Sequence, residues 1–423
     1  MVTPARPASA ARTLPCGTVL PSEPPVNAAR PDAARPVPPL WGPVAMLGAT
    51  QIIAWGTLTY GIAVLAPSIS AELDIGISAV FGAFSLGLGF SGLAAPAVGR
   101  AIDRMGGGRV MAGGSLLAAL SMALVALSEG PLLFFLGWII AGLAMAANLY
   151  DASFAALSQF AGNRYRQALT VLTLMGGLAS TVFWPLSWWI EGLAGWRAAF
   201  WVFAALHLLL CLPLHLLLPK PQVEPRLAEG ASASAAGAAQ RRQLLWLAAA
   251  FTLAAFVVSG MAAHVVGALR ASGLEAATAI AAASLIGPMQ VVGRILEFTF
   301  ARNLPAVRVG LASLVTMLAA MLLLAAAGVA PALAFACACT YGLANGVLSI
   351  VRGTVPAELF GREAYGSLMG RLAQPAFFAK AVAPLAVALL IGADEAYGSM
   401  AVLFAVLMGA AIAAYLMATK RRA

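Results

Sequence analysis

Runs of about 20 apolar residues recur from Trp41 almost to the end of the chain, and this repetition limits the possible folds more than any other feature. Twenty residues of helix reach roughly 30 Å, which is the hydrocarbon thickness of a bilayer. A water-soluble core can hold a few such segments but not a dozen. Charged residues make up 10% of the 423, whereas a soluble domain carries about 25%, so lipid is the expected solvent of most of this fold. Spans are predicted at roughly 41–67, 77–99, 109–128, 131–158, 168–190, 197–218, 244–269, 276–299, 309–328, 331–354, 367–391 and 397–418. The long spans imply tilt or kinks, which Pro67, Pro185, Pro288, Pro375 and Pro384 would favour.

Before the first span, residues 1–40 are rich in Pro, Ala and Arg and lack the apolar core of a signal peptide, so they read as a disordered cytoplasmic tail. The net charge of +9 raises the question of nucleic acid. That function needs the basic residues gathered on one solvated face, whereas here they lie in short clusters between apolar runs, and no nucleic-acid partner is expected. Cys16, Cys211, Cys337 and Cys339 do not form a disulfide framework. Cys337 and Cys339 are two apart and point to different helix faces, so neither a metal nor a cofactor is expected.

The basic clusters also give an orientation, because Lys and Arg collect in cytoplasmic loops. With the N-terminal tail inside, the even-numbered loops hold Arg100, Arg104, Arg109, Arg164, Arg166, Lys220, Arg226, Arg241, Arg242, Arg302, Arg308 and Arg362, and Lys420, Arg421 and Arg422 close the chain. The other side keeps Arg197 and Arg270, while Glu72, Asp74, Glu129, Glu191, Glu275, Asp394 and Glu395 fall there. Both termini are expected in the cytoplasm of a bacterium, with the chain threaded through the inner membrane.

An Ala, Ser and Gly run at 231–239, inside the longest connection, divides the spans six and six. The predicted organisation is the tail over 1–40, six spans within 41–218, a cytoplasmic linker over 219–243, six spans within 244–418 and a cytoplasmic tail over 419–423. The halves resemble each other. Gly142, Leu143 and Ala144 recur as Gly342, Leu343 and Ala344, and Phe160 and Tyr165 recur as Phe360 and Tyr365, at an offset of 200. Gly99, Arg100 and Asp103 have counterparts in Gly293, Arg294 and Glu297 at a slightly shorter offset. Two pseudo-symmetric six-helix bundles follow, making this an all-α membrane protein of twelve transmembrane helices.

These residues resemble the major facilitator superfamily. The stretch Gly99-Arg-Ala-Ile-Asp103-Arg104-Met-Gly106-Gly-Gly-Arg109 is similar to that family's G-x-x-x-D-R-x-G-R-R signature, and it lies in the expected place, between spans two and three. Gly195-Trp196-Arg197 at the start of span six looks like another familiar turn of the family. Within it, Trp55-Gly56-Thr-Leu-Thr-Tyr60 and Arg352-Gly-Thr-Val-Pro356-Ala-Glu358-Leu-Phe-Gly361 resemble monocarboxylate-like and related bacterial efflux members. Two departures count against the usual drug-efflux design: Trp138 stands where those antiporters carry an Arg, and Gly176-Gly177 followed by Phe183-Trp184-Pro185 replaces their G-P-x-x-G-G.

The resemblance implies alternating access about one central cavity, with a cytoplasmic gate at the signature. Gate candidates are Gly99, Arg100, Asp103, Arg104, Gly106 and Arg109, with Arg294 and Glu297 as their weaker second-half counterparts; ion pairs of Asp103 with nearby arginines would lock the inner helix ends. An ordinary solvated loop is the competing reading. Asp151 lies deep in span four, where a charge costs at least about 2.5–3.5 kcal/mol unless it faces a partner or a wet cavity. The 200-residue offset sets it against Val351, beside Arg352. It is expected either to pair with Arg352 across the cavity or to titrate as the site of the coupling proton, the alternative being a solvated pair at the inner rim.

Lys380 stands near mid-membrane in span eleven, and Arg371, nearer the inner end, can snorkel. His264 in span seven is a candidate relay or substrate contact; His207 and His215 in span six, a helix that usually faces lipid in the family, are not. Gln51, Trp55, Tyr60, Asn148, Gln290, Tyr341 and Asn345 are candidate cavity residues, with interhelical hydrogen bonding as the plainer alternative. The G-x-G-x-x-G run at Gly87, Gly89 and Gly92 lies inside a span with no strand before it, so it predicts close helix packing and not a nucleotide site.

With three basic candidates against one acid, the expected function is secondary transport of a small organic anion, coupled to an ion gradient, by a monomer in the bilayer. Efflux of a neutral or cationic toxic compound is the alternative substrate class. A membrane-embedded enzyme would need paired acids, a H-E-x-x-H run or a Gly-framed nucleophile, none of which the spans contain, and a channel suits two rocking halves less well than a carrier.

Overall fold

The structure, a computed structural model, describes residues 40–220, 235–391 and 397–420. The predicted N-terminal tail up to residue 39, most of the predicted linker, residues 392–396 with Asp394 and Glu395, and residues 421–423 lie outside the described residues. Among the described residues, eleven helical stretches are long and apolar enough to cross a membrane. One of them, Gly162–Leu216, has 55 residues, which at 1.5 Å each is about 80 Å and far too long for one crossing. Gly195 divides it: its φ of 81° and ψ of 169° suit glycine and turn the chain between two crossings. Twelve crossings result, as expected.

In chain order they are α1 Trp41–Glu72, α2 Ile77–Met105, α3 Gly107–Ala126, α4 Pro131–Ser158, α5 165–194, α6 196–216, α7 Ala235–Ala271, α8 Ala276–Ala301, α9 Ala306–Ala325, α10 Pro331–Phe360, α11 Tyr365–Ile391 and α12 Tyr397–Thr419. Several run past the expected ends. The clearest case is α2, which stays helical through Arg100 and Asp103 to Met105, so most of the stretch expected as a loop is the last helical turns. No residue there breaks a helix, Ile102 is buried, and the stop comes at Gly106, whose φ of 87° lets its N–H bond the Ile102 carbonyl at 2.9 Å.

Lipid supplies little hydrophobic drive between helices, so close approach of small residues holds the fold together. A Cβ on Gly87 or Gly142 would collide with backbone of the facing helix, which joins α2 to α4. The G-x-G-x-x-G run is thus partly spent on packing, with Gly92 turned to α11. Gly99 meets the Gly366 carbonyl in the same way, and Gly370 meets that of Ala95, joining α2 to α11 along its inner half. In the first six helices α1 packs on α5 and α3 on α4 and α6; in the last six α7 packs on α11 and α12, and α10 on α8 and α9.

Several helices are interrupted near the middle of the fold. Gly56–Tyr60 in α1 is a π-helical turn, and a second, Glu297–Ala301, closes α8 at the basic end. The α4 helix breaks at Leu149, with φ −77° and ψ −176°, and α5 is interrupted between Gly176 and Ala179. Such breaks are tolerated at membrane depth where side chains take up the freed backbone groups. Gln51 Nε2 donates to the Asn148 carbonyl at 2.6 Å, beside the α4 break. In α11, Pro384 has no N–H for the Lys380 carbonyl four residues earlier, and Ser259 of α7 donates to it at 2.8 Å.

Candidate functional site

The two sets of six helices are cross-linked at the end where the basic residues gather. Asp103, closing α2, accepts the N–H groups of Gly366 and Ser367 at 2.7 Å each and the Ser367 hydroxyl at 2.5 Å. A carboxylate here satisfies orphan donors in the first turn of α11 and meets the positive end of its dipole. The expected ion pairs of Asp103 with nearby arginines are not what the geometry holds: Arg100, Arg104 and Arg109 are exposed and donate to no described residue. The pseudo-equivalent acid does use an arginine. Glu297, 3% exposed, takes Arg166 of α5 at 2.6 Å and Thr170 at 3.3 Å, while Arg166 also donates to the carbonyls of Ala301 and Leu304. Between these contacts Tyr165 and Tyr365 place their hydroxyls 3.3 Å apart, and Arg362 reaches the Gly162 carbonyl at 2.5 Å.

Deeper in the fold Arg352 of α10 donates to both carboxylate oxygens of Asp151, at 3.0 and 3.2 Å. The expected pair across the two sets is therefore formed. The break at Leu149 puts Asp151 in the first turn of the short helix Tyr150–Ser158, where the helix dipole favours a negative charge. Lys380 lies on α11 over the Phe377 ring, 5.3 Å from its centroid.

Arg294 is the departure. The repeat groups it with Glu297 as a gate residue, but it sits one turn further from the basic end, 4% exposed, and its described partner is the Ser349 hydroxyl at 3.3 Å. Among the described residues it has no carboxylate. Gly177 leaves room for it, since a Cβ there would collide with Nη1. The preceding Gly176 likewise clears the Tyr150 hydroxyl, and Tyr60 is joined to that ring through Trp55. Their rings belong to a chain of aromatics: Trp55 is 5.0 Å from Tyr150 and 6.2 Å from Tyr60, and Tyr60 is 6.0 Å from Trp184.

The remaining candidates divide. Tyr341, Asn345 and Arg352 recur on one stripe of α10, with Ser349 between them, and Gln290 precedes Arg294 by one turn of α8. Gln290 and Asn345 are half-buried and bond no described side chain. Tyr341 donates to the Val258 carbonyl, at 3.4 Å. Gln51 and Asn148 are buried between α1 and α4, where the plainer reading, interhelical bonding, describes Gln51, which also donates to Ser153 at 2.6 Å. His264 bonds the Pro384 carbonyl at 2.9 Å. Arg371 is exposed on the α11 stripe that carries Val382, Leu385 and Leu389, and it is not brought to the cluster.

His207 and His215 are not on a lipid-facing surface: both are buried, bonded to Thr57 at 2.8 Å and Ser115 at 2.9 Å. α6 turns that stripe inward against α1 and α3 because each ring finds a hydroxyl there. Sequence reasoning missed Tyr150, Trp184 and Ser349 as neighbours of the cluster. Gly177 was visible only as a departure from a family motif.

Comparison with known proteins agrees with this architecture. A sequence model of a protein family described as the Major Facilitator Superfamily matches residues 44–384. A curated relative from Thermoproteus tenax, an "uncharacterized 38 kDa protein in 23S RNA operon", is 31% identical over 166 residues, covering 38% of this chain and 43% of its own length. Three solved structures share the fold. The human organic anion transporter MFSD10 (TETRAN) superposes with a TM-score of 0.68 at 20% identity, covering 90% of this chain and 100% of its own. The proton:xylose symporter XylE, bound to 6-bromo-6-deoxy-D-glucose, gives 0.72 at 11% over 88% and 94%. The transporter FucP, in the outward conformation, gives 0.69 at 14% over 90% and 99%.

Proposed function

This chain belongs to the Major Facilitator Superfamily, a multi-pass membrane transporter and not an enzyme, and on that premise we propose that it carries a small organic anion by ion-coupled alternating access. The observation that carries the reading is the charge balance among the ionic side chains inside the spans. Arg294, Arg352 and Lys380 stand against one acid, Asp151, which is already bound to Arg352. Arg294, buried, and Lys380, half-buried, thus form no ion pair among the described residues, and a cation inside a span without a counter-ion is stabilised by an anionic solute entering beside it. A cationic substrate would have to displace Arg352 from Asp151 and then face two further positive charges, which disfavours that alternative.

Orientation follows the basic residues: the end bearing Asp103 faces the cytoplasm of a bacterium, as do both termini, and the chain acts as a monomer in the inner membrane. The cross-links at that end then make this the outward-facing member of the cycle. When the halves rock, Asp151 parts from Arg352 and becomes free to take a proton, which couples the movement to a proton gradient.

The test is saturable counterflow in proteoliposomes holding the full chain, with radiolabelled carboxylic acids, neutral sugars and organic cations compared. Counterflow of an acid, an increased KM in Lys380→Ala, and loss of pH-gradient dependence with counterflow retained in Asp151→Asn are expected. Counterflow of a cation but of no acid would overturn the reading.

A further inference from the structure

We propose that Phe377 is an apolar stopper between the Lys380 site and the proton site at Asp151, so that Asp151 cannot exchange protons with both sides of the membrane at once. The inference deepens the ion-coupled reading above and rests on it.

A narrow cavity with room for about one water lies where α2, α4 and α11 meet, and Asp151 is the charged residue of its lining. The α11 wall is Gly366, Gly370, Ala373 and Phe377, which recur on one stripe of the helix, and Lys380 is the next position of that stripe. Gly366 stands at the basic end, where its N–H meets Asp103, itself half-buried. From that end toward Lys380, Phe377 is the first bulky side chain on this wall. The Lys380 ammonium lies over its ring, 5.3 Å from the centroid. One residue therefore adjoins both the cavity of the acid and the cation.

The ring also bridges the two halves. Phe377 is 3% exposed, and among the described residues it and Ala373 are the buried side chains of α7–α12 that enter the apolar core shared by α1–α6. Gly92 of α2 leaves space for it, since a Cβ there would stand 3.3 Å from the Phe377 Cβ. In the proposed cycle, rocking of the halves draws the ring out of that core, whereas the state with the basic ends together keeps it in. A narrow apolar constriction blocks water, because molecules there find no hydrogen-bond partners. A void left by the ring would be different. It would adjoin a carboxylate and an ammonium, the kind of polar partners that let buried water persist, and an acid in contact with water on both sides passes protons between them.

Proton flux into proteoliposomes holding the full chain tests this, with no organic solute present, a pH-sensitive dye inside, potassium and valinomycin to clamp the voltage, and an external acid pulse. The unsubstituted chain should leak no faster than protein-free vesicles, and Phe377→Ala should leak at least about tenfold faster. Adding Asp151→Asn should close that leak, which it would not do for a merely loosened fold. Phe377→Leu, which keeps apolar bulk, and Phe378→Ala, which removes the exposed neighbouring ring, should both stay tight. Should Phe377→Ala fail to reconstitute, Phe377→Val takes its place. A tight Phe377→Ala, or a leak that persists without the Asp151 carboxylate, would overturn the stopper and leave the ion-coupled reading standing on the pH-gradient dependence of counterflow in the unsubstituted chain. Absence of that dependence would overturn both.

Discussion

Tyr165 and Tyr365, two hundred positions apart in the chain, meet edge to face with ring centroids 5.9 Å apart, and both hydroxyls point at the Gly353 carbonyl. Residues related by an internal repeat can touch each other only close to the axis that relates the two halves. The pair therefore marks the pseudo-two-fold, and the Asp103 and Glu297 contacts flank it: one acid meets the start of α11, the other the start of α5. The same joint is built twice with different chemistry. On the α11 side a bare helix terminus answers the carboxylate; on the α5 side an arginine does.

That difference predicts unequal responses. Asp103→Ala removes a cap on α11, an interaction worth about 0.5–2 kcal/mol. In the proposed cycle the cap is lost when the basic ends part, so its removal should move the closed-to-open ratio toward open by roughly twofold to thirtyfold. Spin labels at exposed Arg104 and Glu363 would report the change as a larger population of long distances. Asp103→Asn keeps one acceptor and should move the ratio less.

For Asp151 and Arg352 the prediction concerns a pair. Side-chain exposures of 12% and 19% place them short of full burial, so breaking the pair should cost about 1–3 kcal/mol, less than the 3–5 of a fully buried one. Asp151→Asn or Arg352→Gln alone should lower the thermal transition in detergent. The double neutral variant should recover most of the loss, since neither charge is then left alone. A double variant as unstable as the sum of the singles would show that the two residues act independently.

How far the sequence carried these conclusions depended on whether the physics was local. Apolar run length gave the twelve crossings, and the 200-residue offset set Asp151 beside Arg352, because both follow from spacing along the chain. The helix end after Gly99 was misplaced, since a family signature says where a motif lies but not that Ala101, Ile102 and Met105 keep it helical. Arg294 departs from its repeat position for a different reason. Its repeat partner is Arg100, which is exposed, and only the packing against Gly177 and Ser349 separates the two fates. The histidines of α6 were judged by what that helix usually faces, whereas hydroxyls on α1 and α3 decided their burial.

Ser259 offers a quantitative check of how membrane helices tolerate proline. Its hydroxyl supplies the donor that Pro384 denies to the Lys380 carbonyl. Ser259→Ala should destabilise the chain by about 0.6 kcal/mol, within an upper range of ~1.7. In a Pro384→Ala background the N–H of residue 384 can resume the bond, and the same serine substitution should then have almost no effect. Unfolding midpoints of the four proteins would give the coupling, and equal effects in both backgrounds would remove the serine from this role.

Gly99 gives the sharpest discrimination between folding and movement. A Cβ there would collide with the Gly366 carbonyl, a backbone atom that cannot rotate aside, and the same crossing brings Gly370 against Ala95. Gly99→Ala must therefore push α2 and α11 apart at the basic end, where Asp103 joins them. The first six helices do not rely on this contact for their own packing, which runs through Gly87 and Gly142 instead. The variant should insert, survive purification and retain a thermal transition near that of the unsubstituted chain, while its spin-label distances at the basic end resemble those of Asp103→Ala and transport falls by an order of magnitude or more, as expected when about 1.4 kcal/mol separates the two ratios. Gly89, whose Cβ would meet nothing within 4 Å, is the control: Gly89→Ala on the same helix should leave distances and transport unchanged. A Gly99→Ala protein that transports normally would mean that close contact of α2 and α11 is not needed for the cycle.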